Sequence, residues 1–138
     1  MVQLTVAVGV VAVAVVVGLV LRRSQHADVP TQPTFDAPSQ LDRADFAAAG
    51  APWLVVVFSS ATCTTCADVV RKAEVLRSRD VDVVDVEYGR ARDLHAKYSI
   101  DGVPITVIAD AHGVVRKHFI GPVTATDLWA AYAAARDV

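Results

Sequence analysis

Apolar and polar positions change their period several times along this chain, and each change marks an element. Residues 2–21, VQLTVAVGVVAVAVVVGLVL, have no period: they are apolar throughout except for Gln3 and Thr5. As a helix, about 20 residues rise ~30 Å, the thickness of a bilayer's hydrocarbon core, so the stretch predicts a membrane span. Residues 24–40, SQHADVPTQPTFDAPSQ, lose the apolar pattern. Pro30, Pro33 and Pro38 bias their predecessors toward extended backbone, so a linker is expected, with PTFDA adding a short edge strand at most.

From Leu41 the elements alternate. LDRADFAAAG reads as a short helix stopped by Gly50, a residue free to take positive φ. WLVVVFS is a continuous apolar run, the mark of a strand covered on both faces. Val69, Val70, Ala73 and Leu76 then recur at helical spacing, with Asp68, Arg71, Lys72 and Arg77 largely opposite them. VDVVDVEY predicts a second strand and RARDLHAKYS a short helix. PITVIAD and VVRKHFI form a hairpin across Ala111-His112-Gly113. TATDLWAAYAAAR closes the chain as a helix, with Thr124 and Asp127 in a capping-box arrangement and Leu128, Tyr132 and Ala135 on one face. Helices between strands imply parallel neighbours, and the hairpin adds an antiparallel pair. The predicted fold class is α/β: a mixed sheet of about four strands with helices on both faces. The predicted organisation is a transmembrane anchor over 1–23, a Pro-containing linker over 24–40 and one domain over 41–138.

Composition alters this picture at two points. The chain is 54% hydrophobic, but residues 2–21 supply part of that excess, so the domain is less apolar than the total suggests. The net charge is −2 with both signs interspersed, and no basic block or aromatic–basic alternation points to nucleic acid. Arg22 and Arg23 follow the apolar run where a cleaved signal peptide would carry small residues, which favours an uncleaved anchor. Basic flanks stay cytoplasmic, so the same pair places the domain in the cytoplasm, with the extracytoplasmic face as the alternative. Two arginines are too few for a polybasic lipid-binding cluster.

The chemistry lies in SSATCTTCADVV, which holds the only two cysteines, Cys63 and Cys66. A closed zinc site needs four ligands. There is no second cysteine pair, His26 lies in the linker, and His95, His112 and His118 form no spaced pair on one helix, so no metal is expected. A structural staple is disfavoured too, because closing so small a loop restrains the unfolded chain little. Three apart on a helical turn, the side chains share a face with Cβ atoms ~5–6 Å apart, close to disulfide reach. A strand precedes the pair and a helix follows it, so the helix N-terminus would favour a thiolate at Cys63, the attacking species.

At this point the chain resembles the thioredoxin family, over roughly residues 41–136. The resemblance rests on VVVFSSATCTTC, on Gly102-Val103-Pro104-Ile105-Thr106 before the third main strand, and on the hairpin and closing helix. It implies a thioredoxin-like fold, a cis Pro104 packed against the cysteine pair, and a Val103 backbone that hydrogen-bonds an extended segment of a partner. Thr62, Val103 and Pro104 are thus the implied substrate-binding residues, and Cys63 and Cys66 the catalytic ones. Cys63 would attack a partner's disulfide and Cys66 would resolve the mixed disulfide. The implied partners are protein disulfides and an unidentified electron donor, with no cofactor. The chain departs from the family pattern at four places. Thr62 stands where the family usually has tryptophan, Thr64-Thr65 replace Gly-Pro, Arg71 replaces a kinking proline, and Val57 occupies the place of a buried aspartate that helps deprotonate the second cysteine.

These departures keep a rival open, a thioredoxin-fold binding module or redox sensor without turnover. A peroxide-reducing relative is a weaker third reading, because its threonine and arginine constellation has no evident counterpart. Plainer roles are expected elsewhere. Asp68 serves the first helical turn, His95 and His118 lie on the surface, Trp53 and Trp129 pack, and Tyr98 closes its short helix against the sheet.

Overall fold

The computed structural model describes residues 15–16 and 35–137. The chain divides into two compact units, residues 1–33 and 34–138. Among the described residues no helix is long and apolar enough to cross a membrane. The span predicted for residues 2–21 lies outside them apart from Val15 and Val16, as does the linker before Phe35.

Seven elements of the predicted order form as expected, and the first forms in a tighter geometry. Four strands, β1 (Trp53–Ser59), β2 (Val81–Glu87), β3 (Ile105–Ala109) and β4 (Val115–Ile120), are joined with helices α1 (Cys66–Glu74) and α2 (Arg92–Lys97) between the first three, and helix α3 (Ala125–Arg136) closes the unit. The sheet order is β2-β1-β3-β4. Its central strand β1 is buried from Leu54 to Ser59, as its unbroken apolar run predicts. One face carries Val55, Val57, Val83 and Ile108 against Val69, Ala73 and Leu76 of the α1 segment and Leu128 and Tyr132 of α3. The other carries Leu54, Val56, Phe58, Val86 and Val107 against Leu41, Phe46, Leu94 and Tyr98.

The strand directions require one correction. β1 and β2 run parallel, as an intervening helix implies, but β3 runs antiparallel to β1 although α2 separates it from β2. The link, residues 88–104, does not run the length of a strand: after α2 it reverses, with Ser99 at positive φ and the Ile100 N–H donating to the His95 carbonyl at 2.8 Å. The chain therefore enters β3 at the end where β2 finishes.

The first element is a 3-10 turn, Arg43–Phe46, and not a helix reaching Gly50. Asp42 caps it through the Ala44 N–H, and the Arg43 guanidinium donates to the carbonyls of Ala49 and Ala51, at 3.0 and 2.8 Å. Those bonds tie the chain after the turn back onto it, satisfying carbonyls that a helix ending at Gly50 would leave without an intrahelical partner. Gly50 does not take positive φ; Gly113 (φ +78°) and Gly121 (φ +90°) do. Of the PTFDA segment, Pro33 and Thr34 lie outside the described residues and Phe35–Ala37 form no strand; the pairing nearby among the described residues is an isolated bridge from Gln40 to Val114.

Gly113 makes a sharp stability test. A Cβ there would meet the Leu41 carbonyl oxygen at 2.0 Å, in a backbone conformation that already disfavours a side chain. Gly113→Ala is expected to cost at least ~2 kcal/mol by chemical denaturation. Gly50→Ala, in open space, should fall within about 0.5 kcal/mol of the parent. Equal effects at the two sites would contradict the turn geometry.

Three side-chain expectations also change. His95 is 3% exposed and not a surface residue. Its Nε2 lies 2.8 Å from the Val86 carbonyl, an acceptor on the edge strand β2, and its ring meets Phe58 and Tyr88 edge-on. Trp129 is 48% exposed, because α3 turns Leu128, Tyr132 and Ala135 to the core and leaves its neighbour on the flank. Asp68 sits in the first turn of α1, but its carboxylate pairs with Arg71 and Lys72. Thr124 and Asp127 behave as expected, the Thr124 hydroxyl accepting the Asp127 N–H at 3.1 Å. Tyr98 packs on Phe46 and Phe58, with its hydroxyl donating to Asp45.

Candidate active site

β1 delivers the site. Its last residue, Ser59, leads into a tight turn in which the Cys63 N–H donates to the Ser60 carbonyl at 3.1 Å. Helix α1 begins at Cys66, so Cys63 sits in the turn ahead of the helix and not in its first turn. The two sulfurs are joined as a disulfide with the Cα atoms 5.4 Å apart. Cys66 is 1% exposed, whereas Cys63 is only half-buried. An incoming sulfur therefore reaches Cys63 first.

The surroundings of Cys63 suit a negative sulfur. The Cys66 N–H, at the open end of α1, donates to Cys63 Sγ at 3.2 Å, and the Thr65 hydroxyl lies 3.5 Å from the same atom. A free N–H at a helix start is a donor with no intrahelical partner, and the dipole adds to it. Thr62 is exposed, its hydroxyl 3.1 Å from that of Ser60.

Two carboxylates from β2 complete the site, and the motif pattern alone does not single them out. The Glu87 carboxylate accepts the Ala61 N–H at 3.2 Å and the Gly89 N–H at 2.8 Å, tying the cysteine turn to the end of β2. The Gly89 bond, with help from Ala61 and Arg90, holds its acidity below the usual glutamate range against the opposing effect of desolvation. Asp85 accepts a hydrogen bond from the Ser59 hydroxyl. Ser59, Cys63, Cys66, Val70, Asp85 and Glu87 line one cavity of about 300 Å³. A signal for these acids exists in VDVVDVE: Val81 and Val83 point into the core, and Asp85 and Glu87 continue the same alternating face.

Val57 is fully buried in β1, where the resemblance directs attention to an acid. The bond between Val103 and Pro104 is cis, as the resemblance implies. With Phe58 opposite Ile105, the antiparallel register carries Pro104 to the sheet end from which β1 emits the cysteine turn. Pro104 is buried and Val103 half-buried. Among the described residues no group of three or more His, Cys, Asp or Glu side chains could hold a metal ion.

The architecture matches solved structures. A single-substitution mutant of the thioredoxin from Halobacterium salinarum NRC-1 superposes with a TM-score of 0.58 at 18% identity, covering 72% of this chain and 94% of its own. The thioredoxin of Fasciola hepatica gives 0.52 at 25% identity, covering 60% and 80%. A malarial protein gives 0.55 at 15% identity, covering 60% and 96%. The fold is thioredoxin-like. No protein-family profile matches the chain. No curated protein matches it either. The thioredoxin-like fold and the Cys63–Cys66 pair together support thiol–disulfide redox chemistry at the general level.

Proposed function

We propose that this chain is a membrane-tethered thiol–disulfide oxidoreductase acting on disulfides of protein partners. The observation that carries the reading is the asymmetry of the pair: a reachable Cys63 whose sulfur faces a helix N–H, and a buried Cys66 bonded to it. The Cys63 thiolate attacks a partner disulfide, forming a mixed disulfide and expelling one partner sulfur as thiolate. The Cys66 thiolate then attacks Cys63 Sγ and expels the second. Two electrons pass from the dithiol to the partner, and an unidentified electron donor restores the pair. Val103, Pro104 and Thr62 are the residues expected to seat the partner's extended segment.

The apolar stretch 2–21 supplies the tether in this reading, and Arg22-Arg23 favour a cytoplasmic domain. A reducing cytosol would hold the pair mostly reduced, poised as a reductase; on the opposite face it would draw electrons from a membrane donor. Anchoring raises the effective concentration of membrane-associated clients.

The test is insulin reduction by the full-length chain in detergent, with dithiothreitol supplying electrons. Activity is expected for the parent and loss of it for Cys63→Ser. A parent chain whose pair titrates between dithiol and disulfide yet reduces no insulin would favour the sensor reading, for which the replacements at Thr62 and Val57 speak. Labelling by an impermeant thiol reagent fixes the face of the membrane: protection in intact cells is expected, and ready labelling would reverse the topology.

A further inference from the structure

Thiol exchange at Cys63 and Cys66 leaves one problem unsolved. Cys66 must lose its proton before it can attack, and it is almost wholly enclosed. Burial in apolar surroundings disfavours the thiolate, so a base is needed close by. Val57, Val69 and Val70 offer none.

We infer that Asp85 is the proton acceptor for Cys66, poised by Ser59. Asp85 lines the same cavity as Cys66. In the parallel register Asp85 stands directly beside Val57, and residues paired in register share a sheet face. The acid therefore occupies the α1 face of the sheet, one strand over from the apolar residue. The Ser59 hydroxyl, in a residue 4% exposed, donates to Asp85 and fixes the orientation of the carboxylate.

The other charged groups around the pair are committed elsewhere. Glu87 is held by two backbone N–H groups and by Arg90 at 3.5 Å, so it is a weak base locked into the turn. On α1, Asp68 is paired with both Arg71 and Lys72. Arg90 lies equally far from both carboxylates, Nη2 to Asp85 Oδ2 also at 3.5 Å, so the difference is that Asp85, among the described residues, accepts the serine hydroxyl and no backbone N–H. Its side chain is 29% exposed, so a proton taken from Cys66 can pass on to solvent.

The step balances. No hydrogen bond joins the two side chains among the described residues, so the Cys66 S–H proton passes to the Asp85 carboxylate through a water in the open cavity that both residues line. The resulting thiolate forms a bond to Cys63 Sγ, the bond from Cys63 to the partner sulfur breaks, and the partner leaves as thiolate.

The sign of one substitution separates this role from a purely electrostatic one. A bystander carboxylate would oppose a thiolate by like-charge repulsion, so removing its charge would speed the attack of Cys66. A proton acceptor does the reverse. The experiment follows the reduced full-length chain in detergent as it reacts with dithiobis-nitrobenzoate. The first thionitrobenzoate released reports attack by Cys63, and the second reports attack by Cys66 on the mixed disulfide. In Asp85→Asn the second phase is expected to slow relative to the first by ~10-fold or more. Asp85→Glu should restore most of that ratio. An unchanged or increased ratio in Asp85→Asn overturns the assignment, as does a failure of Asp85→Glu to recover it. The inference rests on the thiol-exchange reading, and the same trace tests that reading separately: absence of the first phase in the parent chain would sink it.

Discussion

A chain carrying Cys66→Ser is expected to stop at the mixed disulfide. Cys63 keeps its accessible position ahead of α1 and can still attack, but serine cannot displace the partner sulfur. Turnover in insulin reduction should fall by ~100-fold or more, since an intermediate that must be resolved from outside replaces a fast intramolecular step. Non-reducing electrophoresis should then show a covalent adduct that dithiothreitol dissolves. The double variant Cys63→Ser/Cys66→Ser should show no adduct. If Cys66→Ser turns over like the parent, or traps nothing when offered a protein disulfide, the two cysteines do not divide the labour as their burial suggests.

The second large effect is expected at Phe58, the residue that anchors the site from beneath. It is fully buried on β1, with the His95 ring 5.5 Å and the Tyr98 ring 5.9 Å from its own. Phe58→Ala removes most of a large side chain between elements that cannot collapse far, since β1 is pinned by strands on both sides. The expected loss is ~3–5 kcal/mol. Set against the ~5–15 kcal/mol that holds a typical domain together, this is enough to threaten folding. Urea denaturation followed by tryptophan fluorescence measures it, and Phe58→Leu, which keeps most of the volume, should lose much less. A loss below ~1 kcal/mol in Phe58→Ala would mean that the face carrying His95 and Tyr98 is not a packed core.

Much of this molecule is legible in its sequence because the relevant signals are local. The apolar run of β1, the helical spacing after Cys66 and the hairpin signal at Gly113 each describe one element, and each forms where its pattern places it. The cysteine pair is legible for the same reason: three positions span a single turn, so spacing alone brings the sulfurs within reach. The 3-10 turn at Arg43–Phe46 shows where local reading weakens. The chain leaves it after Phe46, and the Arg43 guanidinium holds the following residues through carbonyls six and eight positions away, a contact no local period announces.

His95 illustrates a second limit. A six-residue helix is too short for its periodicity to define a buried face, and the burial of His95 follows from an edge carbonyl on another element. The carboxylates illustrate the third. Nothing near Cys66 in the sequence suggests Asp85, a residue of the next strand; strand register alone sets it beside Val57 and opposite the cysteine helix.

By itself, then, the sequence determined the kind and order of the elements and the reactive pair, because hydrophobic period and residue spacing act within one turn or one strand. Tertiary structure decided which way β3 runs, which sheet end receives Pro104 and which acids line the cavity of the buried cysteine. Those outcomes depend on where the chain reverses after a short helix and on the register of strands that meet only after folding.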